Sequence, residues 1–176
     1  IKRQENCAIV VYGDSTGDAT SEWVYMLAGK LAADWPTQTV QYRLWDAGTS
    51  AYAAAATIQT GTGAGTLTIY NCSISGSVAN RFAGDDLEAS LLVEPDLVFI
   101  NYGHNGGAQI ERQVTQEAVI AAEVSRLYPF TPICIIGQNP VRTDETMAAK
   151  VQVFRALASA FGWGWLDIHQ FFKDLP

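Results

Sequence analysis

Short, continuously apolar runs alternate along this chain with longer segments whose apolar positions recur at helical spacing. The first run, Ala8-Ile9-Val10-Val11-Tyr12, is rich in β-branched residues and predicts a strand buried on both faces. It stops at Gly13-Asp14-Ser15-Thr16-Gly17. From Ser21 to Asp34 the spacing of Trp23, Val24, Leu27, Leu31 and Ala32 predicts a helix, closed by Trp35-Pro36. Val40 to Trp45 alternates like a strand and runs into Asp46-Ala47-Gly48-Thr49-Ser50. The small residues Ala51 to Ala56 read as a short helix, and Gly61, Gly63 and Gly65 as a hairpin loop or linker into a strand over Thr66–Cys72. That glycine string follows no strand-to-helix switch, so it lacks the setting of a dinucleotide fingerprint.

Asp85 to Val93 predicts a helix broken by Pro95-Asp96. Leu97 to Tyr102 is a second buried strand, ending in Gly103-His104-Asn105-Gly106-Gly107. A helix over Glu111–Leu127, a strand over Ile133–Ile136 and a turn at Gly137-Gln138-Asn139-Pro140 follow. Asp144 is placed to cap a helix running to Phe161, because acidic groups favour helix N-termini. A last strand, Gly164–Ile168, delivers His169, and Gln170–Leu175 closes the chain. Strands alternating with helices, each strand a continuous apolar run, indicate a parallel sheet covered on both faces. Ligands of such sheets bind at the carboxyl ends of the strands. Four polar loops should meet there: Asp14-Ser15, Gly48, His104-Asn105 and Asp167-His169.

Composition narrows the chemistry. With 176 residues, 48% hydrophobic and 16% charged, residues 1–176 suit one domain with a full core. Lys+Arg 11 against Asp+Glu 18 gives a formal charge of -7, which repels phosphate backbones and anionic membranes and argues against a nucleic-acid partner. Cys7, Cys72 and Cys134 fall in apolar runs and read as small buried hydrophobes. Without CxxC spacing, and with only His104 and His169 as histidines, no structural zinc site is expected. No apolar run is long enough to span a bilayer. With no initiator Met, the chain reads as excised from a longer polypeptide.

A serine at the tip of a strand-to-helix turn, beneath free helix-terminal amides, suits a nucleophile with an oxyanion donor or a phosphate cradle. Acyl transfer needs a nucleophile, a base and donors aimed at the developing oxyanion. Ser15 can be the nucleophile and His169 the base. The Ser15 and Gly48 N–H groups and the Asn105 side chain can be the donors, with Gly48 letting a backbone amide approach closely. The plainer reading makes Ser15 a helix cap. The Gly-x-Ser-x-Gly string also matches the nucleophile elbow of α/β-hydrolases, but too little chain precedes it for that fold. Asp14 reads as a loop-bracing acceptor, and Asp14 and His104 as possible pocket residues.

The order of these blocks resembles the SGNH hydrolases, the GDSL-type esterases and lipases. Gly13-Asp14-Ser15 looks like their first block, Gly48 their second, Gly103-x-Asn105 their third and His169 their last, over nearly the whole chain. Gly-Asp-Ser-Thr and Gly-His-Asn are most similar to the polysaccharide acetylesterases of that group, and related domains occur on bacteriophage tail proteins. The resemblance implies a three-layer α/β/α sandwich with a mainly parallel five-stranded sheet, flavodoxin-like in layout. It also implies a Ser-His-Asp esterase for short acyl groups on carbohydrate, working without metal or organic cofactor, in an extracellular or virion-associated setting and as part of a larger polypeptide or assembly.

Two positions depart from the family pattern. The Asp expected three residues before the histidine is Leu166, and Asp167 lies two before it, so Asp167 completes a triad or leaves a Ser–His dyad. Gly106 stands where acetylesterases commonly carry Asp, which bears on the loop rather than the chemistry. Two rivals belong to other classes. Ser15-Thr16-Gly17-Asp18-Ala19-Thr20 resembles the phosphate loop of flavodoxins, with FMN as cofactor, although Asp14 and Asp18 would repel a phosphate. A catalytically inactive, glycan-binding domain of the same fold is the other.

Overall fold

The computed structural model describes residues 5–82, 85–140 and 146–174. β1 (Cys7–Gly13) is buried at every position, as its unbroken apolar run requires. It lies parallel between β5 (Thr66–Ser73) and β6 (Leu97–Asn101), with Gly13 in register with Ser73 on one side and Asn101 on the other. β2 (Thr39–Asp46) extends the parallel sheet beyond β5. β7 (Ile133–Gly137) and β8 (Gly164–Asp167) extend it beyond β6.

Successive side chains of β1 serve opposite layers. Ile9 and Val11 pack with Val24, Ala28 and Ala32 of α1 (Trp23–Asp34). Val10 and Tyr12 pack with the other layer: Leu87 of α2 (Asp85–Ser90), Ile120 and Val124 of α3 (Ile110–Leu127), and Phe154 and Ala158 of α4 (Met147–Phe161). The result is the expected three-layer α/β/α sandwich on a mainly parallel sheet.

Among the described residues the sheet has eight strands rather than five. Two of the additional strands are short and antiparallel on β2: β3 (Ala51–Tyr52) and β4 (Ala56–Gln59). They occupy the small-residue segment that read as a helix. There the unpaired edge of β2 supplies backbone partners, including Leu44 O for Ala53 N at 2.8 Å, and this outweighs alanine's helix preference. The glycine string is the loop between β4 and β5. A Cβ on Gly61 would collide with the Gln38 backbone, so its glycine serves close packing.

The helix expected to Val93 ends at Ser90, and the strand expected to Tyr102 ends at Asn101. α4 terminates on Gly162, whose φ of 70° gives the left-handed cap favoured by glycine. Asp144, expected to cap that helix, lies outside the described residues. The last strand stops one residue earlier than expected, so His169 sits in the first turn of α5 (Ile168–Lys173) rather than in a loop.

Candidate active site

Gly13 to Gly17 turns the chain from β1 towards α1. Asp14 is fully buried, and its Oδ1 accepts from the Thr16 N–H (3.1 Å), the Thr16 hydroxyl (3.0 Å) and Gln138 Nε2 (3.0 Å). Gly17 N–H donates to Asp14 O at 3.2 Å. Two amides that a phosphate cradle would present are thus turned inward onto Asp14. Ser15 is half-buried, and no described residue hydrogen-bonds its hydroxyl.

The other expected residues line the same carboxyl edge. Gly48 is exposed in the β2–β3 turn, and its N–H donates to Asp46 Oδ1 at 2.8 Å. That turn is tied down by Tyr52, whose hydroxyl lies 2.9 Å from Cys72 Sγ and donates to Ser90 O at 2.9 Å. Burial above all pushes the Tyr52 hydroxyl up and raises the Cys72 thiol to about 12, so both stay neutral.

Asn105 is half-buried, with Nδ2 donating to Ser77 O at 2.8 Å, which leaves one amide hydrogen for a ligand. Its backbone oxygen accepts from Gln113 Nε2. Gly106 has φ 86°, and a Cβ there would strike Gln113, so an aspartate could not replace it without strain. His104 is half-buried with Nε2 2.9 Å from Asn139 O, and since a carbonyl only accepts, Nε2 carries the proton of that contact.

His169 is buried, and neither ring nitrogen has a hydrogen-bond partner among the described residues. Asp167 does not contact it through a hydrogen bond. Its Oδ1 accepts from Gln170 N at 2.8 Å, capping α5, and its Oδ2 from Trp165 Nε1 at 3.4 Å. By strand order β6, which the Asn105 loop follows, is adjacent to β1, and β8, which His169 follows, lies three strands from it.

Between the start of α1 and the β8–α5 segment runs a cavity of about 450 Å³. Thr16, Asn101, Gln138 and Asn139 form its polar end, and Trp23, Phe171 and Phe172 with aliphatic side chains its apolar end. Asp14 and His104, read as possible pocket residues, flank the Ser15 loop and do not line this cavity.

Sequence reasoning missed the polar residues beneath the loop. Asn101 Nδ2 donates to Thr16 Oγ1 at 3.2 Å, and Gln138 is 2% exposed. Glu117 of α3 is 1% exposed, and among the described residues neither carboxyl oxygen has a hydrogen-bond partner. Burial, and after it the charge of Asp14, push its carboxyl well above the usual range. Glu117 had a signal in the sequence: it falls on the buried stripe of α3 with Gln113 and Ile120. Among the described residues no three His, Cys, Asp or Glu side chains gather as a metal site, and no helix is long and apolar enough to cross a membrane.

No family model and no curated protein matches the chain. Solved structures do. The psychrotrophic esterase EstA from Pseudoalteromonas sp. is 17% identical over 92% of this chain and 76% of its own, with a TM-score of 0.60. The acetyl xylan esterase AlAXEase is 11% identical over 94% and 79%, at 0.63. AlinE4, an SGNH-hydrolase family esterase, is 15% identical over 98% and 82%, at 0.60. The chain has the fold of the SGNH/GDSL esterases and lipases.

Proposed function

We propose that the protein is a serine carboxylic-ester hydrolase of the SGNH type. The observation that carries this reading is Ser15: an uncommitted, half-buried hydroxyl on a braced strand-to-helix turn, in a fold shared with esterases.

In the proposed mechanism Ser15 Oγ attacks the ester carbonyl as His169 takes its proton. The imidazolium then protonates the leaving alcohol, and water releases the acid. His169 is preferred over His104 because no described residue hydrogen-bonds either of its nitrogens, while His104 is committed to Asn139. Its approach to Ser15 belongs to the substrate complex, where catalytic contacts commonly tighten. Asp167 acts on the base through the α5 cap, giving a Ser–His dyad with a positioned helix. The oxyanion donors are the Ser15 N–H, the free Asn105 amide hydrogen and the Gly48 N–H, which would exchange its Asp46 contact for the substrate. No step calls on a metal or organic cofactor.

The acyl group proposed is short, acetyl first, with the alcohol part a carbohydrate. The aromatic rim of Trp23, Phe171 and Phe172 suits the face of a sugar ring, and AlAXEase is named for an acetylated xylan.

Hydrolysis of p-nitrophenyl acetate and of its octanoate, by wild type and Ser15→Ala, tests the reading. Ser15-dependent release with acetate preferred is expected. A folded, colourless wild type with no turnover and no serine labelling by a fluorophosphonate would favour the glycan-binding alternative, and a yellow protein the flavin one.

A further inference from the structure

We propose that Gln138 is a positioning residue that locks the Ser15 loop to the His104-Asn105 loop, so that nucleophile and oxyanion donor share one geometry. The proposal rests on the serine-hydrolase reading. Gln138 directly follows β7, and its buried side chain reaches back across the end of β6 to the end of β1.

Nε2 donates to Asn101 O at 2.9 Å, Asp14 Oδ1 at 3.0 Å and Thr16 Oγ1 at 3.1 Å, while Oε1 accepts the His104 N–H at 2.8 Å. Three acceptors around one end and a backbone donor at the other fix which end of the amide is nitrogen. One amide hydrogen goes to Asn101 O, and the other is shared by Asp14 and Thr16.

Both anchored loops border the reacting groups. Asp14 and Thr16 flank Ser15, and His104 precedes Asn105. The glycine at 103 makes room for the brace: its φ is 149°, and a Cβ would lie 3.2 Å from Gln138 Oε1 and 3.0 Å from Met147 Cε. Only a neutral group offering donors at one end and an acceptor at the other satisfies all four partners; a carboxylate here would face the Asp14 charge. Among the described residues, the charged or titratable groups nearby include Asp14, His104, Tyr102 and Glu117, the last two both feeling the charge of Asp14, and Lys150, which donates to Gly103 O at 3.0 Å.

Two variants test this, Gln138→Ala and Gln138→Glu, each checked by thermal melting and measured on p-nitrophenyl acetate and by amide hydrogen exchange. Removing hydrogen bonds to a charged group should lower kcat of Gln138→Ala about ten- to a hundredfold, with KM nearly unchanged. Exchange at the Thr16 and His104 amides should accelerate together. In Gln138→Glu the activity relative to wild type should be low at neutral pH and rise on acidification, as the introduced carboxyl takes up a proton and becomes a donor, while any loss from protonating the base is common to both proteins. A folded Gln138→Ala with wild-type kcat overturns the proposal, and so does faster exchange at one loop alone. If wild type shows no Ser15-dependent turnover, the esterase reading fails, and the two exchange rates alone decide whether the brace exists.

Discussion

The turn after β1 and the turn after β8 are both strand-to-helix turns at the same edge of the sheet, and they are finished in opposite ways. At the first, Asp14 is fully buried and one of its oxygens takes three hydrogen bonds, while Gln138 adds a link to the neighbouring loop. At the second, Asp167 makes the cap of a six-residue helix, Leu166 and Phe171 are 44% and 61% exposed, and the buried His169 ring has no polar partner among the described residues. β8 is also an edge strand, paired on one side only. A buried polar network tolerates one arrangement, because each alternative strands a donor or acceptor at about 1–3 kcal/mol. A short capped helix on a sheet edge has little to forbid small displacements. The proposed nucleophile is thus built on the rigid side and the proposed base on the yielding side.

The largest effect should come from the Ser15 hydroxyl on the rigid side. Ser15→Ala is expected to remove turnover while leaving the melting temperature unchanged, and a lowered melting temperature would recast Ser15 as structural. Asn105→Ala should cost roughly 10²–10³ in kcat; near-wild-type rates would take Asn105 out of the oxyanion hole.

Glu117 sharpens the comparison through pH. Its carboxyl is held neutral in the fold by burial and by Asp14. As pH rises through the ordinary carboxylate range, the unfolded chain loses this proton and the folded chain keeps it. Stability should then fall with rising pH by up to about 1.4 kcal/mol per unit from this group alone. Denaturant titrations of Glu117→Gln should show that slope gone and neutral-pH stability raised.

On the yielding side, Asp167→Ala should lose the α5 cap, about 0.5–2 kcal/mol, and activity with it. Retained activity in that variant would separate Asp167 from the chemistry. Phe171→Ala should be the mildest, weakening binding of acetylated sugars by about 0.5–1.5 kcal/mol while sparing p-nitrophenyl acetate. Equal losses on both substrates would place the ring at the reacting centre.

Much of this was legible in the residues. The runs Ala8–Tyr12 and Leu97–Tyr102 carry the adjacent parallel strands that the Ser15 turn and the Asn105 loop follow, because continuous β-branched and aromatic runs bury on both faces in only one kind of sheet. Ala51–Ala56 was misleading, since local preference favoured a helix and an unpaired strand edge decided otherwise. His169 shows the same limit: the last strand ended one residue early, and the imidazole went into a helix and under cover.

By itself the sequence determined the layer architecture, the strand-to-helix turn that presents Ser15, and the fact that the polar loops follow strands, because apolar periodicity and turn residues act within a few positions of chain. Only the tertiary structure decided that Gln138 ties two of those loops together, that Glu117 lies uncharged near Asp14, and that Asp167 spends its carboxylate on a helix end rather than on His169. These are choices of hydrogen-bond and charge partner between residues far apart in sequence, such as the 124 positions separating Asp14 from Gln138, and nothing local encodes which distant group will arrive.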